Sequence, residues 1–533
     1  MNDNDQNLEE LQKAFDAASW TNQAKSNFIS HMAHDIRTRM NAIIGMTGVA
    51  LANIDNRSKV QDSLKKISQS STHLLELIND ILDMSRIESG KMALINDKTA
   101  LPAIIKNVVT IMQPRIKAKD QELNIRLHNV EHERLYCDFL RLNQVFINIL
   151  SNAVKFTPDG GRITLDIEEL PPREEGAAFF RFTCADTGIG MKPEFLKDIF
   201  SVFSRDTGDE AAEGSGMGMA ICKTIIDMMG GTISVQSEEG KGSVFTVELS
   251  LKIADAPAEA MKLPALRILV VDDDTVTCET VSGTLASLGV KAEWTDKSRD
   301  AAEKVAAAKN EGRSYDAIII DWHMRDMDGI ETTKEIRKQV GFGIPILLTS
   351  VCDWADIEDE ARKAGVNGFI AKPLFKSALF NGLKKYVLRM DETEKGSGYR
   401  EVFNFTGKRI LLVEDNEINQ IITKELLADT GVVIDCAENG EEGVKLFAGS
   451  AENYYDLILM DIQMPVMNGY EATRQIRAMD RKDAKKVPVI AMTADAFSED
   501  IDLALKAGMN SHIAKPIDPV RLKREIHKNL GRN

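Results

Sequence analysis

RILVVDDD at residues 267–274 returns as RILLVEDN at residues 409–416, and this pair of near-copies decides how the C-terminal half is read. An aliphatic run that ends in acids is a buried strand opening into a charged loop. The likeness continues at nearly constant offset. Asp272 pairs with Glu414 and Asp273 with Asp415 at 142, Asp321 with Asp461 at 140, Thr349 with Thr493 at 144, and Lys372 with Lys515 at 143. Each copy alternates short β-branched runs (ILVV, AIII, IPILLTS; ILLV, LILM, VPVIAMT) with amphipathic stretches, the pattern of a parallel sheet covered by helices on both faces. Two doubly wound α/β domains are expected, at residues 266–390 and 408–531, bounded by segments of linker composition at 252–265 and 391–408.

Working outward, residues 1–92 hold almost no Gly or Pro and show helical apolar spacing. Ile29, Ala33, Ile36, Met40, Ile43 and Thr47 form one stripe, and Leu64, Ile67, Leu74, Leu75, Ile78 and Leu82 a second. The spacing predicts a helical hairpin turning near Asn53–Arg57. Two long helices leave a wide apolar stripe open, and a second hairpin would close it as a dimeric four-helix bundle, so a homodimer is expected. Residues 99–252 mix helices (101–119, 139–156) with alternating strands (ITLDIEEL, AFFRFTCAD, GSVFTVELSL) and glycine-rich loops, which predicts an α+β sandwich.

Composition agrees with a multidomain chain. At 533 residues, three to five domains are expected, and 43% hydrophobic with 28% charged residues is the make-up of folded protein. The 66 basic and 82 acidic side chains leave a net charge of −16, the wrong sign for nucleic acid or anionic lipid. Cys137, Cys184, Cys222, Cys278, Cys352 and Cys436 lie far apart with no C-x-x-C pair, so neither a zinc site nor a disulfide framework is signalled. The start, MNDNDQNLEE, is acidic and no run of 18 apolar residues occurs, so no membrane segment is expected. The expected location is cytoplasmic, either as it stands or as the cytoplasmic part of a longer membrane-associated sensor.

The first helix carries FISHMAHDIRTRMNAIIG, in which His34 is followed by Asp35 and, one turn on, by Thr38. A neutral imidazole can attack phosphorus through one ring nitrogen while an acid such as Asp35 holds the proton on the other, and Thr38 can position water there. A solvated helix histidine is the commoner meaning of such a residue, and the next domain tips the balance. RLNQVFINILSNAVKFTPDGG sets Asn148, Asn152 and Lys155 along one helix face, two amides and an ammonium suited to a magnesium triphosphate. ADTGIG places Asp186 before Gly188 and Gly190, a carboxylate for an exocyclic amine with backbone close to a ring. In GSGMGM, Gly214, Gly216 and Gly218 open a helix whose free amides can face phosphates.

These segments together resemble a bacterial hybrid sensor histidine kinase over nearly the whole chain. The His34 segment looks like the H-box, Asn148 to Asn152 the N-box, Asp186 to Gly190 the G1 box, Phe200 to Phe203 the F-box and Gly214 to Gly218 the G2 box. The resemblance implies that ATP binds between the N-box helix and a lid near residues 204–215, and that His34 takes its γ-phosphoryl group. The repeated domains resemble response-regulator receivers, whose ligands bind beyond the carboxyl ends of the strands. Asp272, Asp273 and Asp321 in one copy, and Glu414, Asp415 and Asp461 in the other, would repel unless Mg²⁺ bound among them. By the resemblance Asp321 or Asp461 attacks the phosphoryl group, Lys372 or Lys515 helps to neutralise it, and Thr349 or Thr493 bonds its oxygen. A separate histidine phosphotransfer protein or response regulator is the implied partner.

Some positions depart from the family. Arg39 follows Thr38 where proline is usual, so the helix is expected to lack its kink. Receiver 1 reads DWHMRDMDG where receiver 2 has the common DIQMPVMNG, and Phe369 and His512 replace the frequent switch tyrosine. Trp322 is expected to obstruct Asp321, and Arg325 to loosen the loop, leaving receiver 2 the main acceptor. An alternative reading is a signalling scaffold with weak kinase or mainly phosphatase activity, its receivers regulatory. An ATPase of the gyrase or chaperone kind would share the nucleotide boxes but leave His34 and the receivers unexplained.

Overall fold

The aliphatic runs become strands and the helically spaced stretches become helices, and the computed structural model describes residues 32–201, 216–254, 261–351, 357–390, 403–493, 498–515 and 517–530. The chain divides into two compact units, residues 1–392 and 393–533. In the first unit, helix α1 (residues 32–52) turns at Asn53–Asn56 into α2 (Arg57–Glu88). The Asn56 side chain accepts from Lys59 N at 3.1 Å, satisfying one of the amides that a helix start leaves open. Ile29 and the rest of residues 1–31 lie outside the described residues. Met40, Leu64, Leu75, Ile78 and Leu82 stay 39–54% exposed, so the apolar stripe read from the sequence is uncovered in the single chain. By contrast Met32 and Leu77 are buried in the core cluster of the domain that follows.

That domain runs β1 (Asp97–Ala100), α3 (Leu101–Ala118), β2 (Glu122–His128), β3 (Arg134–Cys137), α4 (Phe139–Phe156), β4 (Arg162–Leu170), β5 (Ala177–Asp186), α5 (Pro193–Leu196), α6 (Gly218–Met228), β6 (Thr232–Glu238) and β7 (Gly242–Ile253). Its sheet has the order β1-β3-β7-β5-β4-β2, with β6 also on β7 and β2 at one edge. Strand alternation works as the period of two requires: Ile163, Leu165 and Ile167 of β4 point inward toward Ile104, Val108 and Met112 of α3 and Leu142, Phe146 and Ile149 of α4 in one core. Phe146 and Phe182 lie 4.7 Å apart at a tilt of 50°. Helices on one face of a mixed sheet make the expected α+β sandwich.

Receiver 1 follows in the same unit as β8 (Arg267–Val271), α7 (Thr275–Ser287), β9 (Lys291–Thr295), α8 (Ser298–Asn310), β10 (Ala317–Asp321), α9 (Gly329–Val340), β11 (Ile346–Ser350), α10 (Glu358–Ala364), β12 (Gly368–Ala371) and α11 (Lys376–Tyr386). Its strands are parallel in the order β12-β11-β10-β8-β9. The second unit repeats this as β13 (Arg409–Val413), α12 (Glu417–Leu427), β14 (Val433–Ala437), α13 (Gly440–Gly449), β15 (Leu457–Asp461), α14 (Gly469–Ala478), β16 (Val489–Thr493), α15 (Ser498–Ala507), β17 (Ser511–Ala514) and α16 (Pro519–Leu530), ordered β14-β13-β15-β16-β17. Every residue of β10 and β15 is buried, as central strands covered on both faces must be. Both end on the aspartates singled out in the sequence. Among the described residues Cys137, Cys184, Cys222 and Cys278 are buried free thiols, and Cys436 is a half-buried one.

Candidate functional site

His34 projects from α1 with its side chain 76% exposed, and its Nδ1 lies 3.6 Å from Asp35 Oδ1. This is longer than a formed hydrogen bond, and it sets the carboxylate beside Nδ1, the nitrogen at which a proton would be held for attack through Nε2. Thr38 is exposed one turn on. The helix runs unbroken through Arg39, as expected without proline, and Arg39 Nη1 meets His73 Nδ1 of α2 at 2.8 Å. Sequence spacing carries no signal of that cross-helix contact.

Helix α4 is pinned at both ends. Asp138 caps its start by accepting from Arg141 N at 3.0 Å, while Lys119 Nζ donates to the carbonyls of Val154 and Lys155 at 2.9 Å at its end. Asn148 and Asn152 are half-buried on this helix, and Asn148 Nδ2 donates to Gly218 O at 3.3 Å, so the first turn of α6 stands against the N-box face. Lys155 is exposed, its Nζ 4.8 Å over the Phe156 ring. Asp186 closes β5 and accepts from Gly188 N at 2.8 Å. Burial pushes its carboxyl above the usual range, against the lowering pull of the Gly188 and Ser243 amides. A Cβ on Gly188 would stand 2.6 Å from Phe156 O, and one on Gly190, whose φ is +66°, 1.9 Å from Glu238 O. Gly216 has φ +69° and Gly218 begins α6. Phe200 is half-buried against the core, and Phe203 and Gly214 lie outside the described residues.

A residue pair unmarked in the sequence ties this domain to the hairpin. Arg141 Nη1 lies 2.9 Å from both carboxylate oxygens of Asp83 on α2, and both side chains are about one-eighth exposed. Gln144 bonds both partners at 2.8 Å.

In each receiver the three acids converge until their nearest oxygens all lie within 4.8 Å of one another. Hard oxygen donors so arranged suit a divalent cation of the magnesium or calcium kind. A lysine already offsets part of their repulsion. Lys372 Nζ sits 2.7 Å from Asp272 and 2.9 Å from Asp321, and Lys515 Nζ 2.6 Å from both Glu414 and Asp461. Burial pushes Asp321 up to about 6, against the lowering charge of Lys372; burial alone would lower Lys372, but Asp321 and Asp272 raise it above its ordinary value. Thr349 Oγ1 lies 3.3 Å from Asp321 Oδ1, but in the sheet it holds the place of Met492; the residue that matches Thr493, buried at the end of β16, is Ser350, whose carbonyl accepts from Lys372 N as that of Thr493 does from Lys515 N. Phe369 and His512 are both half-buried.

The rims differ. Asp415 is exposed, whereas Asp273 accepts from Arg325 N and pairs with its guanidinium, each at 3.2 Å. The expected obstruction by Trp322 is not what the fold shows. Trp322 and Ile462 hold the same backbone register, donating to Thr349 O and Met492 O, and both side chains pack toward their receiver cores. The position after the aspartate faces inward, so its bulk is absorbed there.

An ATPase-type sandwich on a helix-borne histidine, followed by two acid and lysine pockets at strand ends, defines the class of signalling proteins that handle phosphoryl groups. Residues 24–90 match the His Kinase A (phospho-acceptor) domain, 137–253 the Histidine kinase-, DNA gyrase B-, and HSP90-like ATPase, and 268–384 and 410–527 the Response regulator receiver domain. The sensor protein GacS of Pseudomonas syringae pv. syringae is 29% identical over 99% of this chain and 58% of its own length. The virulence sensor protein BvgS of Bordetella bronchiseptica is 32% identical over 72% of this chain and 32% of its own. Among solved structures, full-length ShkA in complex with AMPPNP aligns over 94% of this chain and 98% of its own at 25% identity and a TM-score of 0.49. The chain belongs to the hybrid sensor histidine kinases. It spans somewhat under three-fifths of the length of the GacS relatives that it matches along almost its whole extent.

Proposed function

We propose that this chain is an ATP-dependent protein-histidine kinase that phosphorylates His34 and passes the phosphoryl group to a receiver aspartate, chiefly Asp461. Its working parts are a phosphoacceptor hairpin at 1–92, an ATP-binding domain at 99–252 and receivers at 266–390 and 408–531. ATP lies between α4 and the start of α6, its base against Asp186 and the Gly188 and Gly190 turn, its phosphates toward Gly214, Gly216 and Gly218. Lys155 adds positive charge beside the phosphates. His34 Nε2 attacks the γ-phosphorus and the bond to the bridging oxygen breaks, leaving ADP; Asp35 holds the proton on Nδ1 as the ring becomes charged. In transfer the phosphorus–nitrogen bond breaks, its electron pair returning to the imidazole, while a carboxylate oxygen of Asp461 or Asp321 bonds to phosphorus. Lys515 or Lys372 faces the incoming oxygens, with Thr493 at the end of β16 beside one pocket and Thr349, next to last in β11, beside the other. Asn152 in the kinase, with Asn148 beside it toward the nucleotide, and the acids Asp272, Asp273, Asp321, Glu414, Asp415 and Asp461 in the receivers would hold Mg²⁺, which when bound supplies charge to offset the phosphoryl oxygens.

The observation that carries this reading is an exposed His34 with Asp35 beside its Nδ1, in one chain with two pockets of three acids and a lysine at strand ends. The exposed stripe at Met40, Leu64, Leu75, Ile78 and Leu82 supports a homodimer, and a separate phosphotransfer protein or response regulator would take the group onward. No described helix is long and apolar enough to cross a membrane, and the location proposed is cytoplasmic, by itself or within a membrane-associated sensor. The test is γ-labelled ATP with Mg²⁺. Acid-labile, base-stable label should form on the chain and be lost in His34→Gln while nucleotide binding persists. Label persisting in that variant would overturn the scheme.

A further inference from the structure

The two receivers share their pockets but differ at the rim, and the difference lies in how their helices begin. In receiver 2, Asn416 caps α12 by accepting from Ile418 N at 2.9 Å and Asn419 N at 3.3 Å, and Asp518 caps α16 by accepting from Arg521 N at 2.7 Å. Both starts are satisfied from within the domain. At the matching positions receiver 1 carries Asp274 and Phe375. Asp274 stands at the start of α7, where its carboxylate accepts from Thr277 Oγ1 at 2.8 Å and also reaches across to Arg126 of β2 in two contacts, 2.9 Å from Nε and 3.3 Å from Nη2. Phenylalanine cannot cap α11 at all. Its place is taken by Glu133, from the loop between β2 and β3, which accepts from Ser377 N at 3.0 Å. Phe375 itself is only 2% exposed, buried in the same apolar cluster as the ATP-binding domain's core.

We propose that receiver 1 is built as an intramolecular docking module, its phosphoacceptor end seated on β2 and the β2–β3 loop of the ATP-binding domain, so that Asp321 is masked from His34 until the two domains part. Three kinds of contact act together: an ion pair with both partners about 30% exposed, a helix start capped across the boundary, and a buried ring. In a free receiver α11 would lose its cap and Phe375 its cover, while Asp274 would give up Arg126 and keep Thr277. An exposed phenylalanine and an uncapped α11 cost the undocked state, which is why receiver 1 fits this surface and receiver 2, with Asp518 in place of the ring, does not. The contacts come from the turns after Asp273 and after Lys372, which flank the mouth of the Asp321 pocket. A histidine-bearing helix reaching for Asp321 past either turn would meet the ATP-binding domain there.

The masking rests on the kinase reading above, but the docking does not, and the test separates them. In the full chain, Phe375→Asp gives receiver 1 the self-cap of receiver 2 and removes the buried ring, so the domain remains able to fold. Burial of a phenylalanine is worth a factor of about 10 to 100 in the docked fraction. Hydrogen exchange at Ser377 and along β2 should quicken by about that factor, with exchange in β10 unchanged as a control for folding. Arg126→Asp should act in the same direction, and Arg126→Asp with Asp274→Arg should reverse it. In an Asp461→Ala background, label from ATP should reach Asp321 faster in both undocked variants and slow again in the charge-swapped pair. Unchanged exchange in Phe375→Asp, or a swapped pair no better protected than Arg126→Asp alone, would overturn the docking. Undocking without faster label on Asp321 would overturn the masking. A His34 that never takes label overturns the kinase reading and the masking with it, while exchange alone still decides the docking.

Discussion

Lys515 stands 2.6 Å from both Glu414 and Asp461, whose side chains are 1% and 7% exposed, and replacing it by methionine tests what it does there. Methionine keeps the length and removes the charge. Two acids whose oxygens lie within 4.8 Å would then repel by roughly 3 to 4 kcal/mol at an effective dielectric near 20. The variant has one escape, to protonate Asp461, whose carboxyl burial already holds above its ordinary value against the lowering influence of Lys515. Escape costs about 1.36 kcal/mol for each pH step above the reference value near 3.9, so about 4 kcal/mol at pH 7 and about 1.5 at pH 5. The folded variant keeps a proton that the unfolded chain gives up, so stability falls as pH rises and the defect shrinks on acidification.

Hydrogen exchange of the β15 amides, referred to the parent chain at the same pH, measures this. At pH 7 protection should fall by two to three decades, and at pH 5 by about one, since each decade is about 1.4 kcal/mol. Glu414→Gln added to Lys515→Met removes the repulsion and should restore most of the loss. An equal loss at both pH values, or no recovery in the pair, would show that Lys515 matters for packing and not for charge.

Asn152→Ala should abolish Mg·ATP binding or turnover, because a methyl group cannot replace an amide oxygen; unchanged nucleotide affinity by calorimetry together with unchanged turnover would refute the placement. Arg39→Pro should cost about 3 kcal/mol through the lost helix hydrogen bond and also part Arg39 from His73, lowering the melting temperature and altering kinase or phosphatase rates. Constant melting and constant rates would make the departure neutral. Asp83→Ala leaves Arg141 nearly buried with Gln144 as its remaining side-chain partner at that contact and should cost about 3 kcal/mol in urea unfolding, whereas Asp83→Leu with Arg141→Leu should cost less, since no charge is then stranded.

Much of this molecule is legible in one dimension because its chemistry is local or repeated. His34 and Asp35 are neighbours, so their contact needs only a helix. The acids and lysines of the receivers lie at the carboxyl ends of the strands, so a parallel sheet must gather them wherever it forms, whereas the likeness of Thr349 to Thr493 is one residue out of register, Ser350 holding the matching place. A further repeat was available and went unread: Arg337 and Arg477, 140 apart, tie the ends of α9 and α14 to the carbonyls of Gly365 and Gly508. Trp322 misled for a different reason. Bulk beside an aspartate says nothing about which side of the strand end it takes, and the register shared with Ile462 turns it to the core. Contacts between domains left no motif, because Asp83 with Arg141 and Arg126 with Asp274 join residues 58 and 148 apart whose meeting depends on docking. Those contacts still had a shadow in the sequence, at positions where one copy lacks what the other needs. Asp518 can end a helix by itself and Phe375 cannot, so a domain that carries phenylalanine there must find its cap, and cover for its ring, on a neighbour. Chemistry shared by two copies marks the pocket; a missing self-sufficiency in one of them marks the surface by which it is held.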